Sequence, residues 1–131
     1  MFKNVLFPIE LNREARKAIE ITANMVRIHQ SKLTIISVVE EDAEGAMASK
    51  EQVAKLLQEA KLFFSGQGIQ AETLEKSGVP AFTICDVADD INADLIIMGC
   101  RGLGLIDEEA ALDSATNRVI NLANCPVLVV S

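Results

Sequence analysis

The chain has 131 residues, 50% of them hydrophobic and 24% charged. That length suits one domain spanning residues 1–131 and leaves no room for two catalytic lobes, and the apolar share excludes a disordered linker. Set against 19 acidic residues, 12 basic ones leave a net charge of −7, which argues against binding nucleic-acid phosphates or an anionic membrane surface.

Short apolar runs alternate with 3.6-residue stripes, the mark of a β-α-β-α-β-α-β-α-β chain. Val5-Leu-Phe-Pro-Ile9 reads as a first strand. Asn12 is the expected N-cap of a helix with the stripe Ala15, Ala18, Ile19, Thr22, Met25, Val26. Leu33 to Val39 is a second, β-branched strand. An acidic, small-residue loop is expected from Glu40 to Ala48, then a capping box from Ser49 to Gln52 and a helix striped by Val53, Leu56, Leu57, Ala60, Phe63 and Phe64. Ile69 to Leu74 is a weaker third strand. Gly78-Val-Pro80 opens a third helix that faces inward through Ala81, Ile84, Cys85, Ala88 and Ile91. Leu95 to Met98 is a fourth strand, residues 99–112 read as loop, Ser114 to Asn124 as a fourth helix, and Pro126 to Val130 as a closing strand.

Strands that are nearly continuously apolar and separated by helices imply an α/β fold, a Rossmann-like parallel sheet with helices on both faces. With five strands in the order 3-2-1-4-5, the ligand crevice lies at the carboxyl ends of strands one and four. The segments after Ile9 and Met98 meet there. In the second of them, Gly99-Cys-Arg-Gly102-Leu-Gly104 lies between a strand and a helix. Glycines let backbone N–H groups approach an anion, and the following helix N-terminus adds partial positive charge, so phosphate is the natural ligand. A turn that needs glycines only to reverse direction is the alternative.

Gly78-Val-Pro80-Ala81, Ala93-Asp-Leu-Ile-Ile-Met-Gly99, Gly102, Ser114 and Asn124-Cys-Pro-Val-Leu-Val-Val130, together with Pro8-Ile-Glu10, resemble the universal stress protein family over essentially the whole chain. The resemblance implies a five-stranded, usually dimeric stress-response protein whose nucleotide-binding members hold ATP with a Gly-x2-Gly-x9-Gly-Ser/Thr loop. Carried onto this chain, Pro8, Glu10 and the backbone near Val38 and Val39 flank the adenosine. Gly99, Arg101, Gly102, Ser114 and Ala115 meet the phosphates, and Ile9, Met98, Gly104 and Asp113 complete the cofactor-binding set.

The loop departs from the family pattern. Asp113 stands where the glycine is expected, ten residues rather than nine separate it from Gly102, the segment Leu105 to Ala110 is acidic, and Glu10 replaces the usual aspartate. A carboxylate at a helix N-terminus can take the N–H groups a phosphate needs. At about 4 Å from a phosphate charge it costs about 1 kcal/mol in water and about 4 when partly buried, a roughly ten- to thousandfold loss of affinity. Mg²⁺ bridging carboxylate and phosphate reverses that sign. Two functions follow: a regulatory module that binds ATP weakly or with Mg²⁺ and without rapid turnover, or a homodimeric interaction module that has lost ATP and works through an unidentified protein partner.

No catalytic set assembles, because there is no GxxxxGK motif and no positioned base with a metal clamp. His29 falls on the first helix stripe and reads as a packing residue, and Arg118 as a surface charge. Cys85 and Cys125 read as small core residues. Cys100 lies inside the glycine loop and reads as an unreactive spacer, with thiolate activation the alternative. Asp86, Asp89 and Asp90 map to a solvated helix face, and no metal site is expected. Three cysteines without CxxC spacing indicate neither a disulfide framework nor a zinc site. No apolar run reaches membrane-spanning length, and Pro8 and Glu10 interrupt the N-terminal one, so a cytoplasmic location is expected. The apolar last strand, at a sheet edge, invites pairing into a homodimer.

Overall fold

Alternate residues along the central strands serve two separate cores. Val5, Phe7, Ile9, Leu33, Ile35 and Val39 point to one side, and Leu6, Ile36, Ile96 and Met98 to the other. That two-sided burial is why the strands read as unbroken apolar runs. The computed structural model describes residues 1–10, 16–39, 46–99 and 115–130. Within them lie β1 (Asn4–Pro8), α1 (Arg16–His29), β2 (Lys32–Val39), α2 (Ala46–Gly66), β3 (Ala71–Ser77), α3 (Pro80–Asp90), β4 (Leu95–Gly99), α4 (Ala115–Leu122) and β5 (Val127–Val130).

The sheet is parallel throughout and ordered β3-β2-β1-β4-β5, the order on which the expected position of the crevice rests. Helices α1 and α2 cover one face through Ala18, Ala23, Val26, Val53, Leu57, Ala60 and Phe64. Helices α3 and α4 cover the other through Ala81, Ile84, Cys85, Val87, Ala88 and Val119. Phe64 meets Phe7 edge to face, with ring centroids 6.2 Å apart, and so fixes α2 over the sheet centre.

Several boundaries differ from the sequence-based expectation. Helix α2 begins at Ala46, ahead of the capping box expected at Ser49, so residues 46–48 are helical rather than loop; alanine and methionine carry high helix propensity. Phe63, expected on the buried stripe, is 42% exposed, and the apolar contact runs through Val53, Leu57, Ala60 and Phe64 with Leu56 partly buried beside them. Strand β3 starts two residues after Ile69 and continues through Glu75, Lys76 and Ser77, because β2 offers ladder partners as far as Val39↔Ser77. On an edge strand those polar side chains reach water at no cost. The expected N-cap Asn12, together with Ala15, most of the expected 99–112 loop and Ser114 at the expected start of the fourth helix, lies outside the described residues.

Candidate functional site

Strand β1 pairs with β2 as far as Pro8↔Ile36, and β4 pairs with β5 as far as Gly99↔Val130. Between β1 and β4, however, the ladder holds only Val5↔Leu95 and Leu6↔Ile96 among the described residues. The two strands therefore run on side by side without a shared ladder at their carboxyl ends. Proline contributes by having no N–H to donate at Pro8. The chain also reverses its winding direction here, since β1 leads outward to β2 and β3, whereas β4 begins the opposite flank. A split at the switch point is where an open α/β sheet accommodates a ligand.

Buried hydroxyls hold the two lips. The Ser37 hydroxyl donates to the Ile9 carbonyl at 2.8 Å, and the Ile9 N–H donates to the Ile36 carbonyl at 2.9 Å, so the end of β1 is anchored to β2. Opposite, the Thr116 hydroxyl donates to the Gly99 carbonyl at 3.1 Å and ties the first turn of α4 to the end of β4. At the outer end of β2, the Gly78 N–H donates to the Val39 carbonyl at 3.0 Å.

Of the residues expected to form the site, Pro8, Ile9, Glu10, Val38, Val39, Met98, Gly99 and Ala115 lie at this end of the sheet. Ile9 and Met98 bury their side chains in opposite cores, whereas Glu10, Val38, Gly99 and Ala115 are only partly buried. Arg101, Gly102, Gly104, Asp113 and Ser114 lie outside the described residues, as does Cys100. Ser37 and Thr116 were not anticipated. Each carries a signal in retrospect, a lone hydroxyl within an apolar strand and an inward-facing polar residue on a helix.

Outside the crevice, His29 packs edge-on against Phe2 at 5.3 Å, a packing contact at the end of α1. Arg118 is exposed, as are Asp86, Asp89 and Asp90. Asp94 instead accepts the backbone N–H groups of Lys3 at 2.9 Å and Asn4 at 3.0 Å, closing the start of β1. Among the described residues no cluster of three His, Cys, Asp or Glu side chains can hold a metal ion, and no helix is long and apolar enough to cross a membrane. Burial, followed by the neighbouring Asp89 carboxylate, pushes both the Cys85 and Cys125 thiols above their ordinary range.

The family model described as "Universal stress protein family" matches residues 1–131. The chain is 56% identical over 136 aligned residues to the universal stress protein Sll1654 of Synechocystis, covering 99% of this chain and 86% of that one. Among solved structures, the universal stress protein UspA from Lactobacillus plantarum superposes with a TM-score of 0.85 at 24% identity, covering 99% of this chain and 98% of the other. A universal stress protein from Archaeoglobus fulgidus, solved in complex with dAMP, superposes with a TM-score of 0.77 at 17% identity, over 99% and 98% of the two chains. The match of the family model over residues 1–131, together with 56% identity to a universal stress protein, means that this chain belongs to the universal stress protein family.

Proposed function

We propose that the chain acts as a single cytoplasmic domain, a stress-response regulatory module that binds an adenine nucleotide in the β1/β4 split and does not turn it over rapidly. The observation that carries this reading is the ladder that stops at Leu6↔Ile96 while both strands continue to Pro8 and Gly99. Adenosine sits against Pro8, Glu10 and Val38, and the phosphates run toward Gly99 and the start of α4 at Ala115, where the positive end of the helix dipole favours an anion. The dAMP complex of the Archaeoglobus relative supports a mononucleotide-sized ligand in this fold. From the sequence, Arg101, Gly102, Gly104 and Ser114 join the phosphate side, and Asp113 makes binding weak unless Mg²⁺ intervenes.

Titration calorimetry with ATP, with and without Mg²⁺, tests the reading. Saturable heat at micromolar to millimolar ATP, strengthened by Mg²⁺, is the expected result, and a folded sample that gives no heat at millimolar ATP removes it. The residue Asp113 favours a second reading, an interaction module whose phosphate loop has lost ATP. Asp113→Gly separates the two, since a gain in ATP affinity of tenfold or more identifies the carboxylate as the obstacle.

The same proposal includes a homodimer through β5. This edge strand is apolar along Val127 to Val130, and Val129 is 37% exposed. An unpaired apolar edge is a template for a second strand. Light scattering coupled to size exclusion should give twice the chain mass of 14.2 kDa, and a monomer at high micromolar concentration ends this part of the proposal.

A further inference from the structure

We infer that Cys85 and Cys125 form an oxidation site, a thiol pair that peroxides convert into an intramolecular disulfide between α3 and the entrance to β5. Cys85 lies on the inward face of α3 and is 8% exposed. Cys125 is half-buried, directly before Pro126 and β5. Although 40 positions apart in the sequence, both side chains pack into the same apolar cluster beneath α3 and α4.

A cross-tie sets their register. The Asn124 side-chain amide donates to both carboxylate oxygens of Asp89 at 3.2 Å. Asp89 stands four residues beyond Cys85 on the same helix, about one turn away, and Asn124 is the neighbour of Cys125. The tie therefore holds the segment carrying one thiol against the helix flank carrying the other. The thiols share a charged neighbour. Burial first, then Asp89, Cys125 and Asp86 hold Cys85 protonated, and burial, then Asp89 and Asp94, do the same for Cys125. Disulfide geometry needs Cα atoms roughly 4.4–6.8 Å apart, and the irregular segment between α4 and β5 can supply the final adjustment.

The chemistry balances with a peroxide as oxidant. The more accessible Cys125, as thiolate, attacks one peroxide oxygen. The O–O bond breaks, Cys125 becomes a sulfenic acid, and the departing oxygen takes up a proton as water. Cys85, after losing its proton, attacks the Cys125 sulfur. The S–O bond breaks and the hydroxide leaves as a second water. Two thiols and one hydrogen peroxide thus give one disulfide and two waters. Because burial and the aspartates disfavour the thiolate, the pair is inert at low peroxide and responds only when oxidant persists. The product fastens α3 covalently to the start of the sheet-edge strand.

The test uses the full chain carrying Cys100→Ser, so that only this pair can react, treated with hydrogen peroxide and alkylated in urea. The expected result is a mass loss of about 2 Da, a linked peptide joining Cys85 to Cys125, and full reversal by dithiothreitol. In a Cys85→Ser, Cys100→Ser protein the 2 Da loss disappears and Cys125 proceeds to the sulfinic acid. Sulfinic acid at Cys125 with Cys85 still alkylatable in the Cys100→Ser protein, a Cys125–Cys125 link between chains, or no oxidation of thiols that titrate freely in urea would each overturn the assignment.

Discussion

The Thr116 hydroxyl donates to the carbonyl of Gly99 at 3.1 Å and thereby joins the first turn of α4 to the final residue of β4. The side chain is 5% exposed. Thr116→Val keeps its shape and removes the donor. The expected cost is about 1 kcal/mol, read as a lower urea midpoint. Under the proposed function ATP affinity falls as well, because α4 no longer holds its angle to the β4 lip. Thr116→Ser restores most of both, and a variant as stable as the parent shows that the bond contributes nothing.

At the other end of the sheet, Asp94 gathers the N–H groups of Lys3 and Asn4, and the Asn4 side chain donates to the carbonyl of Ile91 at 3.0 Å. These contacts join the start of β1 to the turn before β4. Asp94→Ala leaves two backbone donors to find water and should cost about 1–3 kcal/mol in chemical denaturation. Asp94→Asn, which keeps an acceptor oxygen, should recover part of that. Amide exchange at Lys3 and Asn4 would accelerate in the alanine variant ahead of the sheet centre.

Gly78 adopts φ of +144°, and a Cβ placed on it would stand 2.8 Å from the Thr83 hydroxyl oxygen. Both the backbone conformation and the close approach exclude a side chain. Gly78→Ala should destabilise the fold by about 1–3 kcal/mol. Adding Thr83→Ala relieves the contact but not the dihedral, so a differential scan should show only partial recovery of Tm. Full recovery would mean that the backbone conformation carries no strain.

The cysteines predict an alkaline limit. The folded state holds the Cys85 and Cys125 thiols above the ordinary value of 9.0, mainly by burial and secondarily through Asp89. The folded protein keeps protons that the unfolded chain releases, so stability is unaffected below pH 9.0 and falls as pH rises beyond it. Urea midpoints of the reduced protein, followed from about pH 8 to about pH 10.5, should decline more steeply than those of a Cys85→Ser, Cys125→Ser double variant. Equal slopes would contradict the shifts.

Local periodicity was enough for the element order, the two-sided burial of the strands and the inward face of α3, because each of these repeats within a few residues of the chain. The strand order 3-2-1-4-5 is not encoded in the alternation of elements; the sequence carries it only as a condition for placing the crevice, and it is seen directly only in the folded sheet. Boundaries were less legible. The Glu75-Lys-Ser77 segment carries no apolar alternation and joins β3 only because β2 offers it a partner. The capping pattern at Ser49 is a genuine local signal that yields to a helix already formed from Ala46.

The sequence alone was sufficient for the alternation of strands and helices, the apolar faces and the family resemblance, all encoded at short range or in contiguous motifs. It took the folded chain to separate β1 from β4 beyond Leu6↔Ile96, to aim Ser37 at Ile9 and Thr116 at Gly99, to set Asp94 over the start of β1, and to gather Cys85 and Cys125 into one apolar cluster. Each of these joins groups 17 to 91 positions apart. Contacts of that range have no period along the chain, because they arise only when a crossover returns one strand beside another.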